Sequence, residues 1–449
     1  MEDRTQLLLT SPPARLLVKL ATPNALAFMI QSAVSLAEVW FIGQLGTSSL
    51  ASIALAFPLL MLIQTMSGGA TGGAVTSAIA RALGAGDRDK AEQLIWHALA
   101  VALFGAAVFL VAFLLFGRVL LTFLGGTGDV LSQAMDYCMV LFVGGFFIWL
   151  IGVVSAVFRG MGDMKLPAIL MIVNALIQVP LSGILVLGLF DVPSLGIVGA
   201  AISAVVSGLL VSGMMLAILA KPGRAIRLDV AAISFSKGLF RDILKVALPA
   251  SLSPLLTIFI ILSLTAMVAT FGEAALAGYG IGSRIEFLLI PLVFGIGAAM
   301  TSLVGLSIGA GQIERAERIG WTGSALAAGL AGIVGLVLAL FPEAWIYAFT
   351  SDAETFEVAR DYIRIVGPFF LFQGLGLSLY FASQGAGTVT WPIVATIVRV
   401  ILAVGGGWLL AFWLDLGVQG VFIAAAAAMA TFGIMIATSL KLGAWRGQV

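Results

Sequence analysis

Twelve stretches of about twenty apolar residues, centred near residues 30, 63, 104, 143, 178, 208, 257, 290, 330, 371, 402 and 430, constrain this chain more than any other feature. Runs of that length match the hydrocarbon thickness of a bilayer. Backbone N–H and C=O groups find no water there, so each run is predicted to be a helix that satisfies its own backbone. Composition points the same way, with 61% hydrophobic and only 10% charged residues, against roughly 25% charged in an average soluble chain. The opening stretch MEDRTQLLLTSPPARLLVKLA is mixed in charge and has no small-residue cleavage site. It reads as an amphipathic lead-in rather than a signal peptide.

Lys and Arg set the orientation, because cytoplasmic loops retain them. With the N-terminus inside, eighteen of the 23 Lys and Arg fall on the inner side and only Arg118, Arg360 and Arg364 on the outer. An even number of spans returns the chain to the side where it began, so both termini are expected in the cytoplasm, in a multi-pass protein of the inner (plasma) membrane. The net charge of +1 gives no nucleic-acid footprint. Cys138 and His97, each the sole residue of its type, have no metal or disulfide partner in view and are expected only to fill space.

An internal repeat organises the spans. LGAGDRDKAEQLIW (83–96) pairs with IGAGQIERAERIGW (308–321) at an offset of 225, Asp136-Tyr137 pairs with Asp361-Tyr362 at the same offset, and so does RGMGDMKLP (159–167) with QGAGTVTWP (384–392). The offset becomes 221 for LGIVGAA (195–201) and LGVQGVF (416–422). The expected fold is therefore an all-α integral membrane protein of twelve transmembrane helices, arranged as two parallel six-helix repeats, or two lobes. The expected boundaries are 1–220 for the amino-terminal lobe, 221–245 for a cytoplasmic linker and 246–449 for the carboxy-terminal lobe. The basic linker reads as a surface helix on the cytoplasmic leaflet, held by anionic lipid. Parallel repeats of this kind occur in transporters that rock two halves about a central site.

The glycine loops lack the Lys-Ser/Thr of a nucleotide P-loop and read as tight turns. Transport energy would then come from an ion gradient. No residue is assigned catalysis, and no metal or cofactor is called for. A membrane-embedded enzyme would need a constellation such as HExxH, which a chain with one histidine does not supply. The charged groups left inside spans are the functional candidates, since charge at that depth is retained mainly where it faces protein, water or cargo. Glu38 is the first of them. Arg284, Glu286 and Arg399 form a second set, read either as a substrate or second coupling site or as a polar cluster holding the carboxy-terminal lobe together. Arg284 and Glu286 are two apart and point to different helix faces.

The order of these motifs resembles the multidrug and toxic compound extrusion (MATE) family over nearly the whole chain. The match runs from the acidic first span closed by FIGQLG, through the G-A-G turns, RGMGDMKLP, QVPLSG and LGIVGAA, to SRIEFLLIPLVFGIGAA. The resemblance implies a monomeric exporter of small organic, often cationic compounds, driven by proton or sodium entry, with membrane lipid as its other partner. The family's first-span aspartate falls on Glu38, and its fifth-span Asn and Asp/Asn fall on Gln178 and Ser182, so a second carboxylate is missing. A family threonine falls on Ala204, beside Ser203. Sodium prefers several oxygen ligands, which favours a proton-coupled Glu38 assisted by Gln178 and Ser182. The resemblance also implies a large central cavity lined by apolar, aromatic and Met side chains. A flippase for lipid-linked saccharides is the rival reading, for which the cavity would have to be strongly basic.

Overall fold

The helices stop and restart where the repeated glycine turns place them. A computed structural model describes residues 2–223 and 225–448; Arg224, within the expected linker, lies outside them. The described chain is helical throughout, with no strand. A short helix α1 (Glu2–Thr10) precedes the long ones. These are α2 (Pro13–Gly43), α3 (Thr47–Gly84), α4 (Arg88–Phe123), a pair bent by 51° that we treat as one span, α5 (Gly128–Val143 with Gly145–Gly160), α6 (Lys165–Leu187) and α7 (Ile197–Ala220). The second series is α8 (Lys237–Ala269), α9 (Glu273–Gly309), α10 (Ile313–Leu340), α11 (Ala353–Ala386), α12 (Thr390–Trp413) and α13 (Gly417–Lys441). With the bent pair counted as one, α2 to α13 are the twelve expected spans.

The repeat survives to the level of single hydrogen bonds. At the end of α3, Gly86 takes a φ of +77° and Asp87 N donates to Ala82 O at 2.9 Å; at the end of α9, Gly311 takes +71° and Gln312 N donates to Ser307 O at 2.8 Å. Both are helix C-terminal turns that need a left-handed residue, which is why each G-A-G motif ends in glycine. Inside each unit, a threonine of the second span bonds a carbonyl of the fourth. Thr76 Oγ1 donates to Ala156 O at 3.0 Å, and Thr301 Oγ1 to Phe381 O at 2.9 Å. A buried hydroxyl paired with a backbone carbonyl in hydrocarbon removes two otherwise costly polar groups at once.

The chain divides into two compact units, Met1–Leu7 with Leu26–Leu248 and Leu8–Ala25 with Pro249–Val449. The expected boundaries kept 1–220 whole, whereas Leu8–Ala25 belongs by its contacts to the second unit. The core of the second unit includes Tyr279, Ile285, Tyr362, Phe370 and Phe422, all buried. Large apolar side chains such as Leu115, Phe116 and Val119 on α4 stay exposed. In a helix of this length and hydropathy such a face is turned to lipid rather than water. The opening helices of the two series, α2 and α8, bury the smallest share of their apolar windows, 17% each, against 65% for α9.

The linker differs from expectation. Among the described residues of 221–236 the short 3-10 turn Val230–Ala232 is the one helical element, and α8 begins at Lys237. Instead of a helix lying on lipid, this segment is bonded to the first unit. Beyond it, at the start of α8, Asp242 pairs with Lys90 at 2.7 Å. In the segment itself Trp96 Nε1 donates to Asp229 O at 2.8 Å, Ser236 N donates to His97 Nε2 at 3.0 Å, and Arg227 N donates to Glu92 Oε1 at 3.3 Å. His97 therefore does more than fill space. It is fully buried, with its other ring nitrogen 2.8 Å from Gln93 O. The linker's own backbone N–H and C=O groups take these partners, which a surface helix would have bonded internally.

Candidate functional site

Asn174, Gln178 and Ser182 recur every fourth residue along α6, so they share one helix face. Gln178 Nε2 donates to Glu38 Oε1 on α2 at 2.8 Å. The amide oxygen of Gln178 accepts from Asn174 Nδ2 at 2.9 Å and from Ser207 Oγ on α7 at 3.4 Å. With two donors on that oxygen, the NH2 end must face the carboxylate, so Gln178 is held as a donor to Glu38. Glu38 is half-buried, while Asn174, Gln178 and Ser207 are buried. Tyr137 on α5, also buried, lies within electrostatic range of Glu38. Helices α2, α5, α6 and α7 thus supply one carboxylate and a ring of neutral polar groups.

Ser182 departs from expectation. Its hydroxyl is buried and has no hydrogen-bond partner among the described residues, so it supplies nothing to Glu38. Ser203 is likewise uninvolved, because its hydroxyl bonds Ala200 O in its own turn at 2.7 Å. The sixth-span contribution comes one turn later, from Ser207. Asn174 and Ser207 were missed, and the signal that could have found Asn174 is its position one turn before Gln178 in an otherwise apolar run.

The second set separates into two places within its unit. Tyr362 Oη donates to Glu286 Oε1 at 2.5 Å, and Arg399 lies within electrostatic range of the same carboxylate. Tyr362 is boxed by Tyr279 at 5.5 Å and Phe422 at 5.1 Å between ring centroids. Arg399 stands over the Phe432 ring at 5.2 Å. Arg284, on another face of α9, is exposed and lies over Phe349 at 5.5 Å. Glu286 and Arg399 are therefore brought together and Arg284 is not. Among the described residues no three His, Cys, Asp or Glu side chains converge on a metal-sized site.

This arrangement can bind and release a proton or a cation at Glu38 with neutral hydrogen bonds around it, and offers no nucleophile–base pair for covalent chemistry. The MatE family model matches residues 23–184 and 249–409, one match in each repeat. The chain is 28% identical over 91% of its length, and 88% of the relative's, to a Thermotoga maritima protein named "Probable multidrug resistance protein NorM". It is 27% identical to a protein of Shewanella oneidensis named "FAD transporter", covering 85% of this chain and 84% of that one. Among solved structures it matches an outward-facing multidrug resistance MATE family transporter of the MOP superfamily with TM-score 0.89 at 26% identity, over 98% of both chains. A MOP superfamily transporter from Pyrococcus furiosus, described as having a binding pocket of reversed polarity, matches with TM-score 0.91 at 25% identity, again over 98% of both. With the family match covering most of both repeats, this chain belongs to the MatE family of membrane transporters.

Proposed function

We propose that this protein is a secondary active multidrug exporter that moves organic, mainly cationic amphipathic compounds in exchange for protons, with Glu38 as the coupling carboxylate. The observation that carries the reading is the Gln178–Glu38 hydrogen bond, backed by Asn174 and Ser207. An ionised Glu38 accepts that bond and holds a cation. A protonated Glu38 is neutral, loses its hold on the cation and lets the thinly buried α2 repack. One charged oxygen group among neutral amides and hydroxyls suits a proton better than a sodium ion, which takes several oxygen ligands. The charge bias of the loops supports an inner-membrane protein with both ends in the cytoplasm. The family supports transport rather than catalysis.

The test is efflux of a rhodamine methyl ester from proteoliposomes, under an imposed proton gradient and, separately, an imposed sodium gradient. Wild type should move the dye with protons, Glu38→Asp should retain part of that rate, and Glu38→Gln should insert normally and lose it. Gradient-driven export by Glu38→Gln would place coupling elsewhere, with Glu286 next in line. Riboflavin nucleotides belong in the same panel, since one relative is named for FAD.

A further inference from the structure

Among the repeat positions that are polar in both units, two concern the acids within the spans, and one of these has changed its charge. Tyr137 and Tyr362 stand 225 residues apart, as do Asn174 and Arg399. Each tyrosine has an acid within electrostatic range, Glu38 in the first unit and Glu286 in the second, and Tyr362 also hydrogen-bonds its acid. At the other position the first unit has a neutral amide bonded to Gln178, and the second has a guanidinium.

Arg399 is the tenth residue of α12, about 14 Å along the helix at 1.5 Å per residue. That is near the middle of a hydrocarbon core about 30 Å thick. Charge at such depth is retained where something engages it. The engagement inside the protein is incomplete. The guanidinium carbon stands 5.2 Å from the Phe432 ring centroid, but among the described residues no hydrogen bond or ion pair reaches its N–H donors. The residue as a whole is half-buried. Glu286 lies within electrostatic range of the guanidinium, but no ion pair joins the two, and its Oε1 takes the Tyr362 hydroxyl. A guanidinium beside an aromatic ring, with its donors unbonded, can grip an oxyanion with two parallel bonds. The helix beside it also has slack. The π-helix Ile401–Gly406 follows directly, and a Cβ at Gly405 would meet nothing within 4 Å.

We infer that Arg399 is an oxyanion-binding residue of the second unit, taking a carboxylate or phosphate substituent of the exported compound by paired N–H···O bonds. The inference rests on the exporter reading above and extends it. The first unit offers a carboxylate for a cationic group, and the second offers a guanidinium for an anionic one. Amphipathic compounds carrying an acidic substituent then fall within the substrate range. Glu286 acts as a selectivity filter, because its charge competes with the incoming oxyanion for the same guanidinium.

Binding to the purified protein, followed by fluorescence anisotropy, tests this with two ligand pairs. A rhodamine free acid and its methyl ester share one ring system and differ in a carboxylate; riboflavin 5′-phosphate and riboflavin differ in a phosphate. In Arg399→Gln the affinity ratio of acid to ester, or of phosphate to riboflavin, should fall about tenfold, the effect of losing a charge-assisted bond. Arg399→Lys should restore part of it, and Glu286→Gln should raise the ratio above wild type. A response in one pair only identifies which oxyanion the site takes. Ratios within about twofold of wild type for both pairs in Arg399→Gln overturn the inference. If that variant fails to fold, an unchanged ratio in Glu286→Gln overturns it instead. Failure of the exporter reading is separate, since wild-type liposomes would then not move the methyl ester at all.

Discussion

Gly385 packs so closely on Thr301 that a Cβ at Gly385 would stand 2.5 Å from the Thr301 carbonyl oxygen. The obstacle is backbone in the middle of a helix and cannot swing away. At the repeat-related Gly160 the nearest atoms are Ile79 Cβ and Cγ2 at 2.9 Å and Thr76 O at 3.1 Å. Overpacking of this kind costs roughly 1–3 kcal/mol. Gly385→Ala should lower the thermal midpoint of the detergent-solubilised protein most, Gly160→Ala less, and Gly213→Ala, with nothing within 4 Å, not at all. Equal midpoints for the first and last would show that the spans separate more freely than these contacts allow.

Gln178 is held by two donors so that its amide hydrogens point to Glu38. Leucine at 178 would keep much of the volume and remove the donor. Hydrogen bonds to charged groups contribute about 1.5–3 kcal/mol, so Gln178→Leu should slow proton-driven efflux of the rhodamine ester at least about tenfold while expression and insertion stay normal. Asn174→Leu, which removes only the orienting bond, should have a smaller effect. The efflux assay with both variants side by side checks the order, and a larger loss in Asn174→Leu would contradict it.

The spans, their number and the two-fold repetition were legible in the sequence because bilayer thickness and the 225-residue offset are properties of order along the chain. The membership of the site was only partly legible. Glu38 and Gln178 stand out as polar residues in apolar runs and do meet. Ser182 and Ser207 look alike in sequence, and only the packing of α7 on α6, which brings Ser207 to the Gln178 amide oxygen, tells them apart. The linker was misread for a related reason. Its basic residues suggested a lipid-bound helix, but its partners, Trp96 and His97, sit more than 120 residues earlier and leave no local pattern.

Asp352 caps α11, its carboxylate accepting from Thr355 N at 2.9 Å. Hydrogen bonds from Thr355, first from its backbone N–H, hold this carboxyl below the usual aspartate range. A pKa depressed in the folded state means that the cap's stabilisation is fully present above the unfolded value, about 3.9, and is lost as pH falls through the folded value. Between pH 5 and 3, the thermal midpoint of wild type should therefore fall more than that of Asp352→Asn, which caps without titrating. Parallel melting curves that stay the same distance apart over that window would remove the Asp352 contribution.

The segment 221–236 should be protected from proteases only while it stays bonded to α4. Arg227 is an exposed basic residue in non-helical backbone followed by Leu228, so by chemistry it is a trypsin site, whereas Lys221 precedes Pro222 and resists the enzyme. Its backbone can enter a protease cleft only if the segment lifts off, and three contacts oppose that: Trp96 to Asp229 O, Ser236 N to His97, and Arg227 N to Glu92. The buried imidazole matters most, because Phe235 and Phe240 pack edge-on against it at 5.4 Å and 4.6 Å, so its loss leaves an unpaired amide beside a gap. Cleavage through local opening follows the population of the open form, so each lost interaction of about 1.4 kcal/mol should speed it about tenfold. His97→Ala should be cut fastest, Trp96→Phe next, and Lys90→Ala, which removes only a half-exposed ion pair, barely faster than wild type. Limited trypsin digestion in detergent, followed by mass spectrometry of the two halves, gives the rates. Wild-type cleavage as fast as that of His97→Ala would mean that the segment is already free.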